Sequence, residues 1–124
     1  MDFKIDTKDA FTTIMPLEKE ISAKLTGGLR VKLEEMRQSG SNNFIIDLQQ
    51  CEEIDANVVP ELITLHEESY GLGQSLVFTE LNDKIISALK KSESDLLLNI
   101  APKMIEAIDI VSMELLEREL LGEE

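Results

Sequence analysis

The chain reads as an α/β domain in which an opening β-hairpin is followed by strands and helices in alternation. Three observations predict this class. Apolar runs of strand length, such as Phe44-Ile45-Ile46 and Leu76-Val77-Phe78, recur between longer segments with apolar residues every three or four positions. The start of the chain carries two strand-like runs in close succession. At 124 residues there is room for one domain with a modest core. The expectation is therefore a single domain over residues 1–124: a two-layer structure with a mixed four- to five-stranded sheet and helices mainly on one face. Its hairpin spans residues 1–17 and its C-terminal helix residues 102–121.

Each element has its own signal. In Asp2–Asp6, Phe3 and Ile5 alternate with polar neighbours, and Ala10–Leu17 is rich in Thr, Ile and Phe, with Thr7-Lys8-Asp9 as the turn between them. A helix follows, starting between Ser22 and Thr26 and ending near Gln38, because Leu25, Leu29, Leu33 and Met36 form one stripe. Gly27-Gly28 would cost about 1 kcal/mol each in a helix interior. That places them in the first turn, with Thr26 as N-cap. Ser39-Gly40-Ser41 stops the helix. Asn43–Leu48 is an apolar strand expected to be covered on both faces. After the loop Gln49–Asp55, a second helix is predicted from about Val58 to Tyr70, with Asn57 as cap, Pro60 in the first turn and Gly71 and Gly73 at its end. Ser75–Thr79 is the next strand. Asn82 caps a helix carrying Ile85, Ile86 and Leu89, and a short strand follows at about Leu96–Ile100. In the last helix, Met104, Ile108, Val111 and Leu115 form the stripe, extended by Ile105, Ile110, Leu116, Leu120 and Leu121. This surplus of apolar surface suits either packing on the domain itself or a homodimer or partner-helix interface. The acidic tail Glu117–Glu124 is expected to fray.

Charge narrows the function classes. Twelve basic against twenty-five acidic residues give a net charge of −13. That field repels phosphate backbones and anionic headgroups and favours a protein partner with a basic face. No apolar run approaches the roughly 20 residues of a membrane span, and Met1–Asp6 carries no signal-peptide pattern. A lone cysteine fits a reducing compartment. The expected location is the cytoplasm, with neither nucleic acid nor membrane insertion.

The stretch from Asn43 to Leu89 resembles the STAS family of anti-sigma factor antagonists. Ile45-Ile46-Asp47-Leu48 looks like the family's hydrophobic strand ending in Asp-Leu. Glu53-Ile54-Asp55-Ala56-Asn57-Val58-Val59 looks like the lead-in and the Asp-Ser-Ser-Gly-Leu motif that opens a helix. Leu62–Gly73 and Leu76-Val77-Phe78 resemble the helix, turn and strand that follow. The resemblance implies a non-catalytic module in a partner-switching pathway, without cofactor or metal. Its expected partner is a kinase-type anti-sigma factor or an equivalent switch protein. The partner-binding residues it implies are Glu53, Asp55, Ala56, Asn57, Val58 and Glu61. In the family the motif's second serine is phosphorylated, and that position falls on Asn57 here, which has no hydroxyl to accept phosphate. A neutral, cap-competent Asn57 would hold the site in an unmodified, binding-competent form. An alternative implied by the resemblance is a STAS-like subunit of another assembly, a lipid-transport complex or a stress-signalling scaffold.

Other chemistry is weakly signalled. Asp47, Glu52, Glu53 and Asp55 are close in sequence but lack a calcium-loop pattern, and read as a solvated acidic loop. A receiver domain would need strict β-α alternation, which the opening hairpin breaks. His66 has no second ligand or serine partner and reads as a helix residue at the core edge beside Val59, Ile63 and Tyr70. Cys51 has no histidine nearby to activate it. Gly71-Leu72-Gly73 ends a helix where a phosphate loop must begin one, which disfavours a small nucleotide-binding protein.

Overall fold

In the computed structural model, which describes residues 1–121, β1 (Phe3–Thr7) and β2 (Thr12–Pro16) form the expected antiparallel hairpin, with Ile5 opposite Ile14. The turn closes through Lys8 N–H donating to the Phe11 carbonyl at 2.8 Å. Everything that joins the hairpin is parallel. β4 (Phe44–Asp47) pairs with β2, β6 (Leu76–Thr79) with β4, and β7 (Ile100–Ala101) with β6, giving the order β1-β2-β4-β6-β7. The sheet is therefore mixed and five-stranded.

Alternation along the central strands divides the core between the two faces. Phe44, Ile46, Leu76 and Phe78 point to one side. There they meet Leu25, Leu29 and Leu33 of α1 (Ala23–Gln38), Leu62 and Leu65 of α2 (Val59–Gly71), and Ile85 and Leu89 of α3 (Asp83–Lys91). Ile45 and Val77 point to the other side, where Ala107 and Val111 of α4 (Met104–Leu120) and Ala101 cover them. Three helices thus share one face and α4 lies alone on the other, which is why β4 and β6 are apolar at every position through Phe44-Ile45-Ile46 and Leu76-Val77-Phe78.

Several local expectations need correction. α1 begins at Ala23 and is capped by Ser22, whose Oγ accepts from Leu25 N–H at 3.2 Å, so Thr26 is not the cap. Gly27 and Gly28 lie inside the helix. Gly28 faces β1, where an added Cβ would come within 2.9 Å of the Met1 sulfur and 3.5 Å of Phe3. The bare backbone lets the hairpin close over α1. The segment expected as a strand at Leu96–Ile100 is instead a 3-10 turn (Ser94–Leu96) followed by the two-residue β7. The loop Gln49–Asp55 is more ordered than expected, because β5 (Glu53–Ile54) pairs in parallel with β3 (Glu20–Ile21) as a separate two-stranded ribbon. α4 continues helically through Glu117 to Leu120, so no fraying begins at Glu117; residues 122–124 of the expected tail lie outside the described residues.

Candidate partner-binding surface

The surface around Asn57 is built from the ribbon upward. β3 grips the segment entering α2: Glu52 and Glu53 N–H donate to the Lys19 carbonyl at 2.6 and 3.1 Å, and Asp55 N–H donates to the Ile21 carbonyl at 3.0 Å. Asp55 then caps the entry itself. Its carboxylate accepts from Asn57 N–H at 2.9 Å and its carbonyl accepts from Val58 N–H at 3.0 Å, which winds Ala56–Val58 into a 3-10 turn running into α2. Asn57 is therefore not the cap. Asp55 does that work two residues earlier, and the Asn57 side chain is left exposed at the mouth of the helix. An Asx-type cap is available to either residue, so this distinction is invisible in the sequence.

The other proposed contact residues divide cleanly. Glu53, Ala56, Asn57 and Glu61 are exposed and Asp55 is half-buried, along the rim of chain that leads into α2 and its first turn. Val58 is buried in the main core, so its side chain cannot meet a partner. Glu61 adds a carboxylate to the first turn of α2, where the positive end of the helix dipole favours it.

Beside this rim lies an open groove of about 680 Å³, between Ile54, Ala56 and Val59 on one side and Lys84, Ser87, Ala88 and Lys91 of α3 on the other. Lys84 reaches Glu53 across its mouth at 3.8 Å, an exposed pair of little energetic weight. The Asn82 side chain bolts α3 to the ribbon, its Oδ1 accepting from Ile85 N–H at 2.8 Å while its Nδ2 donates to the Glu52 carbonyl at 3.0 Å. The α3 contribution matches the sequence expectation that the third helix joins this surface. Positions 84, 87, 88 and 91 share one helical face, opposite the core-facing Ile85 and Leu89.

The remaining chemistry lies elsewhere. The Asp47 carboxylate is buried and accepts from Gln49 N–H at 3.1 Å and Gln49 Nε2 at 2.8 Å. Glu53 and Asp55 turn to Lys84 and Asn57, and no trio of His, Cys, Asp or Glu among the described residues is arranged to hold a metal ion. Burial, with the Glu18 and Asp47 carboxylates, pushes the Cys51 thiol up to about 11. His66 stacks on Tyr70 with ring centroids 4.5 Å apart, and burial lowers its affinity for a proton despite opposing pull from the Leu76 backbone and the Glu114 and Glu67 carboxylates. The hairpin start and β1-β2 antiparallel pairing rule out receiver topology.

The fold is that of STAS and anti-sigma factor antagonist domains. The chain superposes on the TM1081 protein with a TM-score of 0.75 at 18% identity, covering 90% of each chain. It matches the anti-sigma factor antagonist SpoIIAA in its unphosphorylated form at a TM-score of 0.68 and 15% identity, over 90% of this chain and 96% of that one. A component of the stressosome, a signal integration and transduction hub, matches at a TM-score of 0.64 and 18% identity, over 88% of this chain and 96% of that one. No family model matches the chain, and no curated protein matches it in sequence. No helix among the described residues is long and apolar enough to cross a membrane.

Proposed function

We propose that this chain is a single-domain, non-catalytic recognition module of a cytoplasmic partner-switching pathway that regulates transcription. Its docking surface is the rim of Glu53, Asp55, Ala56, Asn57 and Glu61 together with the groove against α3. The observation that carries this reading is the division of labour between Asp55 and Asn57. Asp55 secures the helix entry, so Asn57 is exposed without being needed to hold the fold, and on our reading it occupies the motif position that carries the phosphorylated serine in STAS domains. A carboxamide there is neutral and has no hydroxyl, so the patch stays in its unmodified form. The partner is a kinase-type anti-sigma factor or an equivalent switch protein. The non-catalytic part of the reading is supported by the placement of the two groups best suited to chemistry: Cys51 is buried with a raised pKa, and His66 is turned toward Tyr70 and away from the groove.

The test is a binding titration with the kinase-type anti-sigma factor encoded in the same genome, plus ATP and intact mass measurement. The native chain is expected to bind and to remain at its unmodified mass, and Asn57→Ser to gain one phosphate. Asn57→Glu is expected to weaken binding by at least about tenfold, as a charge placed in a contact does. Phosphate on the native chain, or undiminished binding by Asn57→Glu, overturns the reading. A second reading is a subunit of a standing assembly, a stress-signalling scaffold or a lipid-transport complex, favoured by a recognition surface with no hydroxyl at its centre. Co-purification with scaffold or transporter components rather than an ATPase would select it.

A further inference from the structure

Helix α4 is apolar on two opposite faces, and the domain covers one of them. Ala107 and Val111 press on Ile45 and Val77, with Met104, Ile108 and Leu115 at the margins. On the far side Ile105, Met113, Leu116 and Leu120 stand 71, 62, 53 and 76% exposed. Their spacing places them in a single stripe along the helix, about 180° from the buried one. An ordinary surface helix is polar there. Glu119 flanks the stripe on one side and Glu106 and Glu117 on the other, while Asp109 stands exposed in its middle. The helix's one basic residue, Arg118, is turned inward, its Nη2 on Ser75 Oγ at 2.9 Å and 3.9 Å from Glu114. The outer face therefore offers apolar surface whose charged neighbours along the helix are all carboxylates.

This framing decides the occupant. A second copy of the chain would bring acidic borders against acidic borders and confine Asp109 against another apolar stripe, with no cation to neutralise it. An anionic lipid surface is repelled by the same carboxylates. What fits is a helix with an apolar stripe edged by Lys and Arg, one of them meeting Asp109. We propose that the outer face of α4 is a second protein-docking surface, and that its ligand is a basic amphipathic helix of a partner protein. It lies on the opposite side of the sheet from the Asn57 rim, so both surfaces can be filled together and the domain can bridge two proteins. This inference does not depend on the role of Asn57.

The test uses the full chain and two synthetic helical peptides of the length of α4, 17 residues. Both carry the same leucine stripe, one flanked by Lys and Arg and the other by Glu. Fluorescence anisotropy is expected to detect binding of the basic peptide only, weakening as salt is raised. Met113→Glu/Leu116→Glu and, separately, Asp109→Lys are expected to weaken it by at least about tenfold; these side chains face solvent, and circular dichroism checks that the fold is kept. Glu67→Lys, an equal charge change on α2, and Asn57→Glu are expected to leave it unchanged. Equal loss in Glu67→Lys would mean bulk charge attraction and overturns the proposal. So does a native dimer in light scattering that Leu116→Glu dissolves, or native binding to phosphatidylserine vesicles that the same change abolishes.

Discussion

The Asp55 carboxylate accepts the backbone N–H of Asn57 at 2.9 Å, and this one bond separates the residue that caps the turn into α2 from the exposed residue we propose a partner reads. Removing Asp55 should therefore affect stability, and altering Asn57 should affect recognition. Asp55→Ala loses the cap and is expected to cost about 1 kcal/mol. For a domain of this size that lowers the melting temperature by about 4 °C. Asn57→Ala is expected to stay within about 0.5 kcal/mol of the native chain. Thermal melts of the two variants check the contrast, and a larger loss in Asn57→Ala would return the capping role to Asn57.

Charge at Asn57 gives a second separation. Asn57→Asp puts a carboxylate in the turn that leads into α2, beside the positive end of the helix dipole. It is expected to leave stability unchanged or raise it by about 0.3–1 kcal/mol. The same variant is expected to lose affinity for the partner. Urea midpoints and binding titrations on one preparation would expose both effects.

A half-buried polar cluster ties α4 to the rest of the domain. Glu114 accepts from Tyr70 Oη at 2.6 Å, Ser75 Oγ at 2.5 Å and Asn99 Nδ2 at 3.1 Å, so one carboxylate joins α2, the start of β6, the lead-in to β7 and α4. Replacing Glu114 by Leu strands these donors and leaves Arg118 without its nearest anion. The expected loss is roughly 2–4 kcal/mol. Urea denaturation measures it. A loss below about 1 kcal/mol, the worth of one ordinary hydrogen bond, would show that the cluster does not hold α4.

Two groups set the alkaline limit. Burial, and the hydrogen bond to Glu114, raise the Tyr70 phenol to about 12, and burial raises the Cys51 thiol to about 11. Both acids hold their protons more tightly folded than unfolded, so their contribution is full below the ordinary values of 9.0 and 10.0 and is lost as pH rises through about 11 and 12. Stability is expected to decline above pH 9, with the decline shallower in Cys51→Ala and Tyr70→Phe. Melting temperature against pH records it. For the same reason Cys51 is expected to react sluggishly with thiol reagents at neutral pH in the folded chain.

The sequence disclosed what periodicity and capping chemistry can disclose. Phe44-Ile45-Ile46 marked a strand buried on both faces, Asn82 marked the start of α3, and the four-three-four stripe of α4 marked its inner face. What stayed hidden depended on tertiary contact. Gly27-Gly28 argued for a late helix start until the packing of Met1 and Phe3 over Gly28 gave the glycines a place inside α1. Glu20-Ile21 and Glu53-Ile54 are too short to show alternation, and they become strands only because they meet each other. Asp55 and Asn57 are equally good caps on paper, and the grip of β3 on residues 52–55 selects the first. Motif position groups Val58 with the contact residues, but the 3-10 turn rotates it into the core.

The shared use of β4 and β6 by two unequal layers fixes the register of the sheet. Slipping either strand by one position would turn Phe44, Ile46 or Phe78 toward α4 in place of Ile45 and Val77, and would strip the larger side of those buried side chains. The strands are thus keyed to a single setting, like a lock cut on both edges. On the proposed function, a partner held on one side of the domain would be coupled to one on the other side by shared occupancy of the same molecule, not by a rearrangement of the sheet.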